Sequence, residues 1–216
     1  MSENKKEYEI NNSKQFWSET DPFTINRYKQ FFKYFKHNEN IILDVGCNTG
    51  RGGETLKKIK PSLVLIGIDI VEKRVQRIQN GIYDKLLISS STNIPLDEKT
   101  VDVIIAGEFI EHLYSEDIEK TLNEFLRILK DGGRVMLTTP NPSSLLVKLG
   151  RRSIFHDPSH FSIMKSEVLS EKLRHAGFVN VVIKGSGKAS TIFGDNFFFF
   201  PVYGSYLLIA EKIKNF

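Results

Sequence analysis

A chain of 216 residues with 40% hydrophobic side chains can bury one sizeable core and fits a single domain. Its net charge of +4 comes from lysines scattered among glutamates, so solvated faces account for it and no basic patch singles out nucleic acid as a partner. The single cysteine, Cys47, excludes an intramolecular disulfide framework and a cysteine-rich zinc site, and without a secretory signal or a membrane-length apolar run the expected location is cytoplasmic.

Residues 1–22 are polar and expected to fray as a flexible segment, with Phe16 and Trp17 free to dock on the domain of residues 23–216 or to cover a pocket. From Thr24 to His37, Tyr28, Phe31, Phe32 and Phe35 recur at helical spacing, which predicts an amphipathic helix packed on a sheet. Ile41 to Val45 then reads as a buried parallel strand running into a loop rich in glycine, Gly46, Gly50, Gly52 and Gly53, whose backbone can approach a nucleotide-like ligand closely. Asp44 precedes that loop where a dinucleotide fold keeps its strand apolar. A carboxylate there would repel a pyrophosphate and welcome an ammonium.

The run Leu43-Asp44-Val45-Gly46-Cys47-Asn48-Thr49-Gly50 resembles the first motif of class I S-adenosylmethionine-dependent methyltransferases. Only the middle glycine differs, and Asn48 is the residue that best replaces it in a left-handed turn. The resemblance implies S-adenosylmethionine as cofactor, held by Asp44, Gly46, Cys47, Asn48 and Gly50; Cys47 also reads simply as a small residue packed under the loop.

A helix from Gly53 to Ile59 precedes a second strand, Leu63 to Asp69, whose terminal carboxylate can accept both hydroxyls of an adenosine ribose, with Ile70 beside it. Asp69 is the expected ribose ligand, and it can at the same time cap the helix expected over residues 71–80. Strand three, Lys85 to Ser89, leads into Ser90-Ser91-Thr92, which resembles the family's adenine loop except that Ser90 stands where an aspartate is usual. Strand four, Val101 to Ala106, leads into Gly107-Glu108-Phe109-Ile110-Glu111-His112-Leu113, again similar to the family, and Glu108 joins the expected cofactor contacts. The Asp/Asn-Pro-Pro-Tyr/Phe motif that holds an amino nitrogen is missing after this strand.

A helix from Ser115 to Leu129, a turn at Asp131-Gly132-Gly133 and a fifth strand, Arg134 to Thr139, continue the alternation. Pro140 to Ser162 is a long insertion, expected as a lid over the acceptor. A helix from Lys165 to Ala176, a sixth strand, Val179 to Ile183, an aromatic run from Phe193 to Phe200 and a last strand, Tyr206 to Lys212, complete the chain. With no crossover helix between strands six and seven, the last strand must return antiparallel. The expected fold is α/β: a Rossmann-like, seven-stranded, mostly parallel sheet with an antiparallel seventh strand and helices on both faces. The resemblance covers residues 24–212.

For the chemistry, His112 lies just beyond strand four and is a candidate general base for an acceptor hydroxyl, with Glu111 beside it. It can also merely cap the following turn. Glu-x-x-Glu-His is similar to the pattern of magnesium-assisted O-methyltransferases of ubiquinone synthesis and of small-RNA 3′ ends, which implies a site for Mg2+ or Mn2+ on Glu108, Glu111, His112 and His160; the same pattern occurs in relatives with no known metal. The expected acceptor is a hydroxyl of a small-molecule, glycan or lipid-linked compound. A metal-assisted RNA 2′-O-methyltransferase and an inert, cofactor-binding partner subunit are the alternatives. Phe197 to Phe200 would form an apolar or membrane-facing patch, or pack between hairpin and sheet.

Overall fold

The computed structural model describes residues 7, 8, 10, 11, 20–145, 148 and 157–214. Phe16, Trp17 and the expected lid residues 146, 147 and 149–156 lie outside them. The described elements run α1 (Thr24–Lys33), β1 (Ile41–Val45), α2 (Arg51–Ile59), β2 (Val64–Asp69), α3 (Glu72–Val75), β3 (Lys85–Ile88), β4 (Val101–Gly107), α4 (Ser115–Ile128), β5 (Leu129–Pro140), α5 (Ser166–Ala176), β6 (Phe178–Ser186), α6 (Lys188–Phe193) and β7 (Ser205–Lys212). Single 3-10 turns lie at Ile110–His112 and Phe200–Val202.

The seven strands order as β3-β2-β1-β4-β5-β7-β6. β1 pairs in parallel with β2 on one side and β4 on the other, so the chain reverses its direction of growth at β1. Strand alternation sends successive side chains to opposite faces. Ile42, Leu65, Val103 and Ile105 pack with Tyr28 and Phe31 of α1 and Leu56 of α2. Leu43, Ile66, Ile104 and Val135 pack instead with Ile118, Leu122 and Phe125 of α4 and Leu169 and Leu173 of α5. β7 runs antiparallel to both β5 and β6, as the missing crossover requires.

Several limits depart from the sequence expectation, β5 among them: it starts at Leu129 and takes in the Asp131-Gly132-Gly133 stretch expected as a turn before Arg134. α1 ends at Lys33 rather than His37, and the Tyr34 and Phe35 N–H groups bond to Phe31 and Phe32 carbonyls in a tighter turn. α3 stops at Val75 rather than residue 80, because Ile78 leaves the helical path to pack under the glycine loop, within 2.9 Å of where a Cβ on Gly50 would lie. The β6–β7 connection is not a bare hairpin; it carries α6 and a 3-10 turn. No helix among the described residues is long and apolar enough to cross a membrane.

Candidate active site

At the end of β1 the chain turns through Gly46 (φ 72°), Asn48 (φ 51°) and Gly50 (φ 82°), so Asn48 takes the left-handed conformation expected of it. The Gly46 and Cys47 N–H groups donate to the Ile68 carbonyl, which ties the loop to β2. Asp44 departs from expectation. It is fully buried beneath the loop, not on a cavity wall, and its oxygens accept from the Tyr28 hydroxyl at 2.6 Å and the Tyr83 hydroxyl at 2.5 Å. Both tyrosines press on the start of α2, where Gly52 and Gly53 leave no room for a Cβ. Asp44 thus fixes the loop from below and does not itself line the cavity. Burial pushes its carboxyl up to about 6, against the opposing pull of the two tyrosine hydroxyls.

Above the loop lies a cavity of about 720 Å3, within the roughly 300–1,000 Å3 of small-molecule sites. Gly46, Cys47 and Asn48 form its floor. Asp69 and Ile70 at the tip of β2, and Ser90, Ser91 and Thr92 after β3, line one side. Asp69 accepts from the Asn48 N–H and the Val71 N–H, each at 2.9 Å, so it braces the loop and caps the following turn while still facing the cavity. The Ser90 hydroxyl pairs with Thr92 at 2.9 Å, and the Ser91 hydroxyl with Thr121 at 2.8 Å. Cys47 is both a wall of the cavity and 3% exposed, and burial pushes its thiol well above its ordinary value.

The 3-10 turn after β4 carries Glu111 and His112 to the other end. The Glu111 carbonyl accepts the Phe161 and Ser162 N–H groups at 2.8 and 3.0 Å, which brings His160 alongside, with its ring 4.8 Å from that of His112. The Nδ1 atom of His112 lies 2.9 Å from the Ser159 carbonyl. A carbonyl can only accept, so Nδ1 carries the proton and Nε2 keeps the lone pair. Burial and the neighbouring His160 push His112 down to about 4, below the near-neutral value expected of a free general base. Glu111 is fully buried; Oε2 accepts from the Thr139 hydroxyl at 2.9 Å, while Oε1 has no hydrogen-bond partner among the described residues.

Ligand atoms of Glu111, His112 and His160 lie within 4.8 Å of one another. Opposed ligands of an ion with bonds of roughly 2.1 Å stand roughly 4.2 Å apart, so a small side-chain adjustment closes the site. One carboxylate and two imidazoles suit a borderline ion such as iron or zinc best, and manganese better than magnesium, which keeps to oxygens. Glu108, the fourth expected ligand, is elsewhere: it faces the Arg27 guanidinium at 3.6 Å and accepts from the Ser205 hydroxyl at 3.2 Å. Its backbone sits in the left-handed region at φ 50°, which turns its side chain toward α1 and leaves Glu111 to point at the histidines.

Among the cavity residues beyond the sequence expectation, two carry charge or hydrogen bonds across elements. Arg27 on α1 is clamped by Asp21 at 2.8 Å and by Glu108, and it lines the cavity. The signal was present: a lone arginine on the aromatic face of an amphipathic helix. Tyr8, in the segment expected to fray, is 5% exposed, donates to Asp117 at 2.7 Å and accepts from the Tyr114 N–H at 2.9 Å. It also lines the cavity, and nothing in its local sequence marks it.

A methyltransferase domain family model matches residues 16–183. A probable S-adenosylmethionine-dependent methyltransferase of Mycobacterium tuberculosis is 27% identical over 146 residues, covering 67% of this chain and 50% of the relative. The human mitochondrial ubiquinone biosynthesis O-methyltransferase is 32% identical over 118 residues, covering 50% of this chain and 31% of the relative. This chain thus spans about half or less of the length of these relatives. A SAM-dependent methyltransferase structure from Archaeoglobus fulgidus superposes with a TM-score of 0.69 at 24% identity, covering 87% of this chain and 92% of that one, and shows the same fold. Taken with the glycine loop, the acid at the tip of β2 and the antiparallel β7, the family match establishes that the chain belongs to the class I S-adenosylmethionine-dependent methyltransferases.

Proposed function

We propose that this chain transfers a methyl group to a hydroxyl of a small-molecule, glycan or lipid-linked acceptor. The observation that carries the proposal is one continuous cavity with a nucleoside-type floor at one end and the Glu111, His112 and His160 cluster at the other. When bound, S-adenosylmethionine supplies a sulfonium methyl group for in-line displacement by the acceptor oxygen. Asp69 accepts the ribose hydroxyls, and Ser90, Ser91 and Thr92 edge the adenine. Arg27 is the cation placed for the amino-acid carboxylate, and Glu108 the anion for its ammonium, the role expected of Asp44.

At the acceptor end, His112 presents the Nε2 lone pair to the incoming hydroxyl, and the Ser159 carbonyl fixes the ring. In a second reading the same Nε2 lone pair, with Glu111 and His160, would instead hold a divalent ion, whose chemistry is to lower the pKa of an oxygen bound to it, and His112 is then a ligand and not the base. The single cysteine suits a reducing compartment, so we place the protein in the cytoplasm. Incubation with labelled S-adenosylmethionine and fractionated cell extract tests the reading. Label is expected in a lipid, glycan or small-molecule fraction as a methyl ether; label recovered as a methyl ester, or confined to RNA, would overturn the acceptor class.

A further inference from the structure

We infer that the aromatic segment joining β6 to β7 docks on an anionic lipid bilayer at the mouth of the cavity. Ile192, Phe193, Phe198 and Phe199 are exposed by 64%, 52%, 87% and 44%. The rings of Phe193, Phe197 and Phe198 meet: Phe193 stacks on Phe197 at 5.1 Å, and Phe197 meets Phe198 at 4.6 Å. Isolated exposed hydrophobics are ordinary, but contiguous aromatics at the tip of one connection mark a partner surface. Of the run Phe197 to Phe200, Phe200 packs against the core, as the alternative expected, whereas Phe198 and Phe199 stand exposed with Ile192 and Phe193.

Charge identifies the partner. Asp195, the one carboxylate in the connection from Gly187 to Gly204, is 6% exposed and is neutralised by the Lys33 ammonium at 2.9 Å and bonded by the Tyr34 hydroxyl. Lys184 reaches Asn196 at 2.6 Å, immediately before the aromatic run, and Lys188 stands exposed at the start of α6. The rim is therefore cationic around an apolar tip, which is the pairing that inserts rings among acyl chains while lysines meet anionic head groups. A second copy of this chain would bring the same lysines against each other.

The position fits the chemistry. Lys188 and Ala189, the first residues of α6, line the cavity, so the helix bearing Ile192 and Phe193 starts on the cavity wall. Phe23, itself 40% exposed, lines the same wall. The inference rests on the proposed methyl transfer for its purpose: a lipid-linked acceptor would offer its hydroxyl to the cavity while its tail stays in the bilayer.

Flotation with vesicles of phosphatidylcholine, with or without phosphatidylglycerol, tests it on the full chain. The wild type should float with the anionic vesicles at least about tenfold more than with the neutral ones, and added salt should release it. The doubly substituted Phe193→Ser, Phe198→Ser variant should stay at the bottom while binding S-adenosylmethionine with unchanged affinity by calorimetry, since neither ring lines the cavity. Wild type left unfloated, equal flotation on neutral vesicles, a variant that floats as well as wild type, or a wild-type dimer that the variant abolishes without flotation would each overturn the inference. Flotation without cofactor binding would uphold the docking surface and count against the methyl-transfer reading instead.

Discussion

At the scale of single residues, four carboxylates with similar sequence credentials face four different surroundings. Asp69 faces the cavity, and Asp69→Ala should weaken S-adenosylmethionine binding by about 1.5–3 kcal/mol, because bonds to a charged group are lost; calorimetry on the folded variant checks it. Asp44 faces two tyrosines. Its folded carboxyl, at about 6, titrates above its ordinary 3.8, so between these values the native state keeps a proton that the unfolded chain has released. Stability from this group is complete below about pH 4 and is lost as pH rises through about 6. Asp44→Asn should flatten that slope relative to wild type in urea unfolding, and an identical slope would show that Asp44 is not buried as described. Glu111 faces the histidines while Glu108 faces Arg27. Manganese titrated calorimetrically should bind wild type and Glu108→Ala alike, but not Glu111→Gln or His160→Ala. Binding retained by all four proteins would dismiss the three-residue site.

At the scale of elements, α1 and α2 meet through contacts that bear on the cofactor floor. A Cβ on Gly52 would lie 2.0 Å from the Tyr28 ring, and one on Gly53 2.4 Å from the Tyr83 ring. Gly52→Ala should therefore cost about 1–3 kcal/mol through overpacking, and it should draw the Tyr28 hydroxyl away from a buried carboxylate. Chemical denaturation would show the loss, with weaker cofactor binding alongside. The strands, the glycine turn and the antiparallel β7 were legible in the sequence because apolar runs and glycine spacing are local signals. The destination of Asp44 was not, since Tyr28 and Tyr83 reach it from 16 residues before and 39 after, and only packing brings them together. Arg27 is nearly silent in the sequence for a related reason: the aromatic periodicity of α1 explains the helix without it. The end of α3 was misjudged because Ile78 obeys the glycine loop rather than helical spacing.

At the scale of the whole molecule, the cavity sits where the sheet reverses its order, above the C-terminal ends of β1, β2 and β4. In such sheets the ligand bridges strands that grow away from each other, so its binding couples both halves to one unfolding transition. Ligand present at about 100 times its dissociation constant adds about 2.7 kcal/mol to stability. For a chain of this size that is a rise in melting temperature of roughly 5–10 °C. Asp69 belongs to the β2 half, whereas Arg27 packs on Gly107 at the end of β4 and faces Glu108. Asp69→Ala and Arg27→Ala should each reduce the rise at fixed ligand concentration, and the double variant should abolish it. A full rise in the double variant would place S-adenosylmethionine outside this crevice. A rise lost in Asp69→Ala but intact in Arg27→Ala would instead leave the ribose where it is and move the amino-acid end of the cofactor away from α1.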